Sequence, residues 1–324
     1  MNILITGGAG YIGAATSYLL LNKKIKPVII DKLVHKKKSI FLKKSLFFKT
    51  NISNLNLVKK IIKKYKINCV MHFAAFKNVE ESILNPRKYY DNNYLITKKF
   101  INCCKESGIK YFIFSSSAAV YGNIKKNKKV LENSALKPIS IYGLTKKKIE
   151  QHLYKISDKN FYFFSLRYFN VLGADKHLRY GPIGLKNNSF SNNLYKAVIS
   201  NKVFKIFGDN HNTLDGTPVR DFIHIDDLAN IHYKSLVYLK TYKKSQICNC
   251  GYGKAYSIKE VVDKISKNKK INFAYSFTKK RSGDISYMVA DVRKLNKIIN
   301  WKPKHSDLKK MIFSEFRWNK QMNK

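Results

Sequence analysis

A glycine-rich turn near the start of the chain constrains the fold more than any other feature. An apolar run at residues 3–6 leads into Gly7, Gly10 and Gly13, and a helical pattern follows. The three glycines permit a tight turn, let backbone N–H groups approach a pyrophosphate, and let strand and helix pack closely. The helix N-terminus adds positive potential for those phosphates. This strand–turn–helix unit predicts a dinucleotide-binding fold.

An acidic residue at the end of the second apolar run points to the cofactor. Asp31 lies 18 residues beyond Gly13. A carboxylate at this distance accepts hydrogen bonds from the ribose hydroxyls of a dinucleotide and repels a 2′-phosphate. The sequence therefore predicts NAD, and not NADP, as the cofactor.

Strand-like and helix-like patterns alternate through the first half of the chain. Short apolar runs occur at 3–6, 28–31, 46–48, 69–74, 111–115 and 161–167, and helical patterns occur at 11–21, 55–65, 88–107 and 144–156. This alternation predicts an α/β fold with a Rossmann-type doubly wound parallel sheet. Beyond about residue 170 the rhythm changes, and we expect a smaller α/β lobe interleaved with the first.

The same change of rhythm suggests how the chain divides. We expect residues 1–172 to bind the dinucleotide and residues 219–250 to return to that domain. The remaining residues, 173–218 and 251–324, are expected to form the substrate-binding lobe. Its first part, 173–193, is rich in Gly, Asn and Lys, which is typical of a long loop and often accompanies function.

Two motifs supply candidate catalytic groups. Tyr142 and Lys146 are four residues apart at the start of a helical pattern, so their side chains share one face. A free phenol has a pKa of about 10, and a neighbouring ammonium lowers that pKa and favours the phenolate base. Ser117 follows the fifth apolar run, and doubly wound sheets bind ligands at the C-terminal ends of their strands. We therefore expect Ser117 to hydrogen-bond a substrate hydroxyl beside Tyr142.

The formal charge of +43 at pH 7 needs its own explanation. It fits either a polyanion partner such as RNA or DNA, or drift toward the residues of A/T-rich codons. The basic residues are 56 Lys and 7 Arg, and Lys is spread along nearly every polar stretch. Proteins that read base edges rely instead on local groups of Arg. Drift is the favoured interpretation, and no specific nucleic-acid partner is expected.

The apolar runs, the segment before the first strand and the cysteines indicate the cellular compartment that we expect. No run of about 18 apolar residues appears, and no signal-like segment precedes the first strand, so we expect a cytoplasmic protein without membrane contact. The five cysteines are odd in number, and Cys248 and Cys250 lack the spacing of a zinc knuckle. All five are expected to be reduced and structural, and no metal site is predicted.

The motifs together resemble those of the extended short-chain dehydrogenase/reductase family, and within it the UDP-glucose 4-epimerases. The resemblance rests on TGGAGYIG at 6–13, Asp31, Ser117, Tyr142-x-x-x-Lys146, HFAAFK at 72–77, YYDNN at 89–93, LRYFN at 166–170, DGTPVRDFIH at 215–224 and RSGD at 281–284. These motifs occur across nearly the whole chain. The resemblance implies NAD-dependent inversion of C4 of a UDP-hexose, between UDP-glucose and UDP-galactose, through a transient 4-keto sugar. It also implies a homodimer, whose interface the helical patterns at 88–107 and 144–156 would supply.

The resemblance further implies roles for individual residues. Tyr142 is implied as the base and acid at the sugar O4, with Ser117 on the same hydroxyl and Lys146 on the cofactor. Cofactor contacts are implied for Gly7, Gly10, Tyr11, Ile12, Gly13, Asp31, Asn51, Ile52, Phe73, Ala74, Lys77, Asn93, Ser115, Tyr142, Lys146 and Tyr168. Substrate contacts are implied for Ser117, Asn170, Asn188, Phe207, Arg220, Arg281, Asp284 and Met288. Among these, the Arg guanidinium groups suit diphosphate oxygens.

Several alternatives stay open. Asn51 stands where the family usually has Asp, although an amide still donates and accepts hydrogen bonds. Met288 stands where the family gates its sugar pocket; its bulk disfavours N-acetylated sugars, but its flexibility leaves the sugar range open. Other nucleotide-sugar epimerases and dehydratases share the scaffold, although dehydratases usually carry Thr-Asp-Glu where this chain has Ser117-Ala118-Ala119. A basic polyanion-binding protein on a degenerate fold is the alternative from another class.

Overall fold

The computed structural model describes residues 2–33, 45–123, 128–183, 189–267, 271, 273–281 and 283–323. Its strands are β1 (Asn2–Thr6), β2 (Val28–Asp31), β3 (Leu46–Lys49), β4 (Ile67–His72), β5 (Tyr111–Ser117), β6 (Tyr162–Tyr168), β7 (Asn170–Leu172), β8 (Phe204–Phe207), β9 (Val219–Arg220), β10 (Phe222–His224), β11 (Gln246–Cys250), β12 (Tyr256–Ser257), β13 (Tyr275–Thr278) and β14 (Tyr287–Met288). Its helices are α1 (Tyr11–Asn22), α2 (Leu55–Lys64), α3 (Val79–Leu84), α4 (Pro86–Tyr89), α5 (Thr97–Glu106), α6 (Ile141–Ile156), α7 (Phe190–Ile199), α8 (Ile225–Tyr242), α9 (Ile258–Ser266), α10 (Arg293–Ile299) and α11 (Leu308–Met322). A π-helical segment, Tyr90–Ile96, joins α4 to α5, and a 3-10 turn, Ala118–Val120, follows β5.

The central sheet contains seven strands from the described ranges, and their order is β11-β6-β5-β4-β1-β2-β3. Every neighbouring pair in this sheet is parallel. The strand order reverses between β1 and β4, which creates the crevice where doubly wound sheets bind ligands. This arrangement confirms the predicted Rossmann-type doubly wound α/β fold.

Successive side chains of β1 pack into two separate cores, one on each face of the sheet. Ile3 and Ile5 belong to the core that includes residues of α1 and α8, whereas Leu4 belongs to the core of α2, α5 and α6. All three side chains are fully buried. Strands that are covered on both faces need continuous apolar runs, and this is the pattern that the sequence contains.

The second helix, α2, illustrates how the sequence defines these elements. Asn54 caps its N-terminus by accepting a hydrogen bond from the Leu57 N–H at 3.2 Å, and Lys63 and Lys64 occupy the last turn, where cations are favoured. Its buried side chains recur at helical spacing, at Val58, Ile61 and Ile62. The cap, the charges and the apolar stripe therefore all specify the same helix.

Two predicted segments differ from the structure in the type of structure that they contain. The helical pattern at 88–107 forms α4, the π-helical segment and α5 in succession, and is not one regular helix. The loop predicted over 173–193 ends earlier, because α7 begins at Phe190 with Ser189 as its N-cap. Polar composition concealed this helix start, although serine is a favoured cap.

The second lobe is interleaved with the central sheet. Within the described ranges, the strands outside the central sheet form the small sheets β10-β7, β12-β9-β14 and β13-β8. Between them, α8 packs against α1, and β11 joins the central sheet beside β6. The pairing of β14 with β9 places Met288 opposite Arg220. Segments that are far apart in the sequence therefore meet where the central strands end.

Two further findings concern membrane-spanning helices and the cysteine thiols. Across the described ranges, no helix is long and apolar enough to cross a membrane. All five cysteines are buried free thiols, as predicted. Burial raises the pKa of the Cys69 and Cys248 thiols, which keeps them protonated and unreactive.

Candidate active site

The glycine-rich turn brings two backbone segments into direct contact. Gly7 has a φ of +70°, and a Cβ on this residue would lie 2.7 Å from the Ala74 nitrogen. A Cβ on Gly13 would lie 2.2 Å from the Gly7 carbonyl oxygen. Only glycine fits at either position. The turn therefore packs directly on the loop after β4.

The N-terminus of α1 is open to an anion. Gly10 is its N-cap, no described side chain caps it, and its first turn holds no acidic residue. The Ala14 N–H donates to the Gly10 carbonyl at 2.8 Å, so the N–H groups of Tyr11, Ile12 and Gly13 have no partner within the helix. Such groups, together with the helix dipole, suit the pyrophosphate of a dinucleotide.

Asp31 is fixed beside this turn. Its two carboxylate oxygens accept hydrogen bonds from the Ala9 N–H at 3.0 Å and from the Leu33 N–H at 2.8 Å. Each oxygen keeps a further lone pair, and the side chain is only partly buried. The carboxylate therefore retains capacity for ribose hydroxyls.

The loops after β3 and β4 carry further predicted cofactor residues. After β3, the Asn51 carboxamide accepts a hydrogen bond from the Ser53 N–H at 3.3 Å, and Ile52 is buried. After β4, the ring of Phe73 lies 4.8 Å from that of His232. Parallel neighbours bring these loops to the same edge of the sheet as the glycine-rich turn.

Lys77 lies in a concave part of this edge. Burial lowers the pKa of its ammonium, while the charge of Glu315 raises it. The side chain is nevertheless accessible to solvent. A group that is surrounded by protein and still reaches solvent lines a cleft, which is where a cofactor contact requires it.

Asn93 supports the same loop from the π-helical segment. Its carboxamide accepts a hydrogen bond from the Phe76 N–H at 2.9 Å and donates one to the Phe76 carbonyl at 2.8 Å. Its side chain is buried. π-helical turns frequently occur at functional sites. Asn93 therefore fixes the loop that carries Lys77.

Lys146 is buried at the centre of the site. Its ammonium donates a hydrogen bond to the Ser115 carbonyl at 2.7 Å. It lies 4.9 Å from the centre of the Phe114 ring and 5.7 Å from the centre of the Tyr142 ring. Burial lowers its pKa to about 7, although the charge of Glu150 acts in the opposite direction. The first turn of α6 thus places the ammonium and the phenol side by side, as predicted.

The electrostatic state of Tyr142 differs from the prediction. Burial raises the pKa of its phenol, and a hydrogen bond with Ser117 opposes that rise. The predicted lowering by Lys146 is wrong for the protein alone, because burial dominates and the ammonium is engaged by the Ser115 carbonyl. Ser117 and Tyr142 do meet, as the sequence predicts.

Tyr168 contacts a histidine, His232, that the sequence did not predict to be part of the site. The Tyr168 hydroxyl is hydrogen-bonded to His232 Nε2, and His232 Nδ1 lies 2.8 Å from the Leu228 carbonyl. Burial raises the pKa of Tyr168, and a hydrogen bond with Ser115 opposes the rise. Burial also lowers the pKa of His232 to about 4, so its imidazole is neutral. A lone histidine in the apolar face of α8 gives no sequence signal for this contact.

Arg220 is held by groups of the second lobe. Its guanidinium donates hydrogen bonds to the Asp284 carboxylate at 2.6 Å, to the Ile285 carbonyl at 2.6 Å and to the Val219 carbonyl at 3.0 Å. Burial lowers its pKa, Asp284 raises it and Arg281 lowers it further. The guanidinium is therefore fixed in place, with a second cation nearby.

Arg281 lies beside Arg220 with fewer constraints. Its guanidinium is 3.8 Å from the centre of the Phe207 ring, and its Nε is 3.3 Å from the Glu80 carboxylate. Glu80 belongs to α3, so this ion pair joins the second lobe to the first. The two side chains are 35 % and 50 % exposed, so the pair is weak. The structure thus brings Phe207, Arg220, Arg281 and Asp284 together.

The remaining predicted substrate residues have different surroundings. Asn170 is exposed on β7, and Asn188 lies outside the described residues. Met288 is buried in a cluster with Ala118 and Phe169. Because Met288 is also paired with Arg220, this cluster connects the arginines to the end of β5.

Sequence reasoning also missed a cavity beside the arginines. Its volume is about 260 Å³, and it is lined by Asn123, His211, Asn212, Lys280, Asp284, Ser286 and Tyr287. His211 is buried, and its Nδ1 lies 3.1 Å from the Ser286 hydroxyl. These residues come from separate loops, so no spacing in the sequence predicts that they meet.

The fold and the site define a class of NAD-binding α/β enzymes in which a serine, a tyrosine and a lysine gather at the C-terminal edge of the sheet. The chain belongs to the NAD dependent epimerase/dehydratase family, whose model matches residues 3–251. It is 35 % identical over 323 residues to the UDP-glucose 4-epimerase of Lactobacillus helveticus, covering 99 % of this chain and 97 % of that protein. It is also 35 % identical to the UDP-glucose 4-epimerase of Bacillus subtilis, covering 98 % and 96 %.

Solved structures show the same architecture. The UDP-glucose 4-epimerase of Stenotrophomonas maltophila, with bound NAD and formylated UDP-arabinopyranose, superposes with a TM-score of 0.93 at 29 % identity and covers 100 % of this chain and 99 % of that one. The UDP-Glc/GlcNAc 4-epimerase of Campylobacter jejuni superposes with a TM-score of 0.83 at 36 % identity and covers 99 % of both chains.

Proposed function

We infer that this chain is an NAD-dependent epimerase that inverts C4 of a UDP-hexose and thereby interconverts UDP-glucose and UDP-galactose. The observation that carries the inference is the meeting of Tyr142, Ser117 and Lys146 at the end of β5, in a chain that matches UDP-glucose 4-epimerases over nearly its whole length. A dehydratase is not favoured, because Ala118 and Ala119 stand where elimination of water would require an acid and a base.

The residues at the C-terminal ends of β1, β2 and β4 fit NAD. The open N-terminus of α1 suits its pyrophosphate, and the spare lone pairs of Asp31 suit a ribose. Lys77 and Lys146 would add cationic contacts, with Asn93 holding the loop of Lys77. When bound, NAD supplies the oxidation of C4 and its reversal, and its positive ring adds charge that favours a phenolate.

Tyr142 would exchange the proton of the sugar O4. Its phenolate removes that proton when C4 becomes a ketone, and the resulting phenol returns it when the configuration has inverted. Burial alone keeps the phenol protonated, so the hydrogen bond with Ser117 and a nearby positive charge must favour the phenolate. The Ser117 hydroxyl would hold the same O4.

The arginine cluster would anchor the uridine diphosphate while the sugar turns. Arg220 is rigidly held, and its planar donors suit diphosphate oxygens. Arg281 is less constrained and adds a second cation, while Phe207, Asp284, Asn170 and Asn188 would contact the nucleotide. A firmly held diphosphate and a loosely held sugar let the 4-keto sugar present either face to the same catalytic groups. Met288 would border that sugar pocket.

The division of the chain follows from these roles. We propose that residues 1–172 and 219–250 form the NAD-binding domain, and that 173–218 and 251–324 form the UDP-sugar lobe. Two observations support the return of 219–250 to the first domain: β11 lies in the central sheet, and α8 packs against α1.

We also propose a cytoplasmic homodimer. Exposed apolar side chains lie on the predicted interface helices, at Leu95 and Tyr154, and on α3, which packs against α6, at Ile83 and Leu84. Such a surface favours association through the helices predicted for the interface. Five free thiols suit the reducing cytoplasm. Sedimentation of the purified protein tests the dimer, and a monomer at micromolar concentration would contradict it.

The epimerase itself is tested by incubation of the purified protein with UDP-galactose or with UDP-N-acetylgalactosamine. Formation of UDP-glucose from the first supports the proposal, and the second defines the sugar range. No C4 epimer from either substrate would refute it. Tight binding of random RNA that persists between about 50 and 200 mM salt would favour the polyanion-binding alternative instead.

A further inference from the structure

The apolar stripe of the last helix contains one acidic residue. Leu308, Met311, Ile312 and Phe316 recur at helical spacing and are buried, and Glu315 occupies the same stripe with 1 % exposure. A carboxylate is rarely buried unless specific partners compensate for its lost hydration. None of the proposed chemical steps uses this group.

Three distant segments contact the Glu315 carboxylate. The Gly173 N–H donates to Oε1 at 2.7 Å, and the Ser191 hydroxyl donates to Oε2. The Tyr11 hydroxyl lies 3.4 Å from Oε1 and also donates to the Gly173 carbonyl. Gly173 begins the segment 173–183, which directly follows β7 and its predicted substrate residue Asn170. Ser191 lies in the first turn of α7, and Tyr11 lies in the first turn of α1. One carboxylate therefore touches both the segment next to a predicted substrate residue and the dinucleotide turn.

Neighbouring residues of α11 hold the same segment, but they do not reach the turn. The Ser314 hydroxyl accepts a hydrogen bond from the Ala174 N–H at 2.9 Å. One helical turn further on, the Trp318 ring nitrogen donates to the Pro182 carbonyl at 2.7 Å. These contacts dock the segment on the helix, whereas Glu315 alone among the three also meets Tyr11.

We propose that Glu315 is a positioning residue that docks the segment 173–183 and the start of α7 against the dinucleotide turn, and so makes UDP-sugar binding and NAD retention depend on one another. This inference rests on the proposed roles of Asn170, directly before the segment, and of the turn. It deepens the proposed function, because it links the site of the substrate to that of a cofactor that stays bound through each turnover.

The charge of the cluster makes this docking sensitive to pH. Burial raises the pKa of Glu315 to about 7, against hydrogen bonds from Ser191, Gly173 and Tyr11 and the charge of Lys77. The titratable groups that face the cluster are Tyr11 of α1, Lys77 after β4 and, around Tyr11, Asp226 and Tyr180. A carboxyl whose pKa is raised by docking takes up a proton when the segment docks. Docking therefore weakens as the pH rises through about 7.

Substitutions of the adjacent residues Glu315 and Ser314 distinguish coupling between UDP binding and NAD retention from simple docking of the segment. Glu315→Ala removes contacts to both sites, so it should weaken UDP binding by about tenfold and also lower the fraction of protein that retains NAD. Ser314→Ala removes the contact to Ala174 and a bond to Met311 within α11, but no contact to the turn, so it should weaken UDP binding and leave NAD retention unchanged. UDP affinity is measured by calorimetry on NAD-loaded protein, and NAD by its release on denaturation. Glu106→Gln, in an exposed ion pair, is the surface control.

A third variant tests the charge of Glu315, and it remains informative even if Glu315→Ala does not fold. Glu315→Gln keeps the shape of the side chain and stays neutral. The wild-type protein should bind UDP more weakly at pH 8.5 than at pH 6, and Glu315→Gln should lose that difference. Equal pH dependence in both proteins, or a folded Glu315→Ala with wild-type UDP affinity and NAD retention, would overturn the proposal. These readouts need no turnover, so wild-type protein that binds UDP but produces no epimer refutes the proposed function and not this inference.

Discussion

The ammonium of Lys146 is hydrogen-bonded to the backbone carbonyl of Ser115, at 2.7 Å, and lies face-on to the ring of Tyr142. A lysine one helical turn from a tyrosine is expected to lie beside the phenol and to lower the pKa of the phenol. Here the ammonium lies beside the ring, but the pKa of the phenol is not lowered. The cation is anchored to the end of β5, and the phenol remains protonated in the protein alone because burial raises its pKa. Activation of the phenol therefore depends on what enters the cleft.

Tyr142→Phe tests the proton exchange. The variant should lower kcat by about 10²–10⁴-fold, which is the usual contribution of general acid–base catalysis, because a phenylalanine ring cannot take the O4 proton. UDP affinity and NAD retention should be unchanged, because a ring of the same shape remains. Tyr154→Phe, on an exposed position of the same helix, is the matched control. Near-normal turnover of Tyr142→Phe would remove this phenol from the mechanism.

Lys146→Met should inactivate the protein and also stabilise it. The pKa of Lys146 falls from 10.5 to about 7 on folding, so burying its charge at pH 7 costs on the order of 5 kcal/mol. Removing the ammonium leaves the Ser115 carbonyl without its donor, at a cost of about 1–3 kcal/mol. The first effect is larger, so the free energy of unfolding should rise at pH 7.

The lowered pKa of Lys146 also predicts how the free energy of unfolding depends on pH. Between pH 7 and 10.5 the unfolded chain binds more protons at Lys146 than the folded chain does, so wild-type stability rises with pH across this window. The advantage of Lys146→Met in urea denaturation should therefore shrink toward pH 10. Lys155→Met, on an exposed position of the same helix, should not show this pattern. A variant less stable than wild type at pH 7 would contradict the argument.

Arg220→Lys tests whether the anchor requires a planar group. The guanidinium of Arg220 contacts Asp284 and two carbonyls, and a single ammonium cannot reproduce these contacts together. UDP affinity should fall by about ten- to a hundredfold, with a smaller effect on kcat at saturating substrate. Arg317→Lys at an exposed position controls for the substitution itself. Unchanged UDP affinity would place the diphosphate elsewhere.

Local signals explain why part of the fold and site was predictable from the sequence. Gly7 and Gly13 are needed because backbone atoms approach them too closely for any side chain, so the turn leaves a fixed pattern of glycines. Tyr142 and Lys146 share a face because helical geometry alone requires it. The continuous apolar strands follow from burial on both faces of the sheet.

Contacts between distant segments explain what the sequence did not predict. Glu315 meets Gly173 across 142 positions, and although it interrupts the apolar stripe of α11, the pattern does not indicate which distant groups it contacts. The raised pKa of Tyr142 is equally non-local, because it results from burial by strands and loops that the helix itself does not contain. Charge and spacing predicted the sign that a cation alone would give, and the packing reversed it.

Glu80→Gln is expected to strengthen UDP binding. Glu80 lies 3.3 Å from the Nε of Arg281, which is the more exposed and less constrained of the two arginines, so its carboxylate competes with a diphosphate for the same guanidinium. Exposed ion pairs contribute up to about 1 kcal/mol, so removal of the charge should lower the dissociation constant for UDP by up to about fivefold. The gain should be larger at low salt, because a partly exposed charge is screened as ionic strength rises. Calorimetric titration of UDP at two salt concentrations, with Glu260→Gln as a control in another exposed pair, measures both effects. Weaker binding by Glu80→Gln would instead mean that the carboxylate orients Arg281 toward the ligand, because a competitor and an orienting group change the affinity in opposite directions.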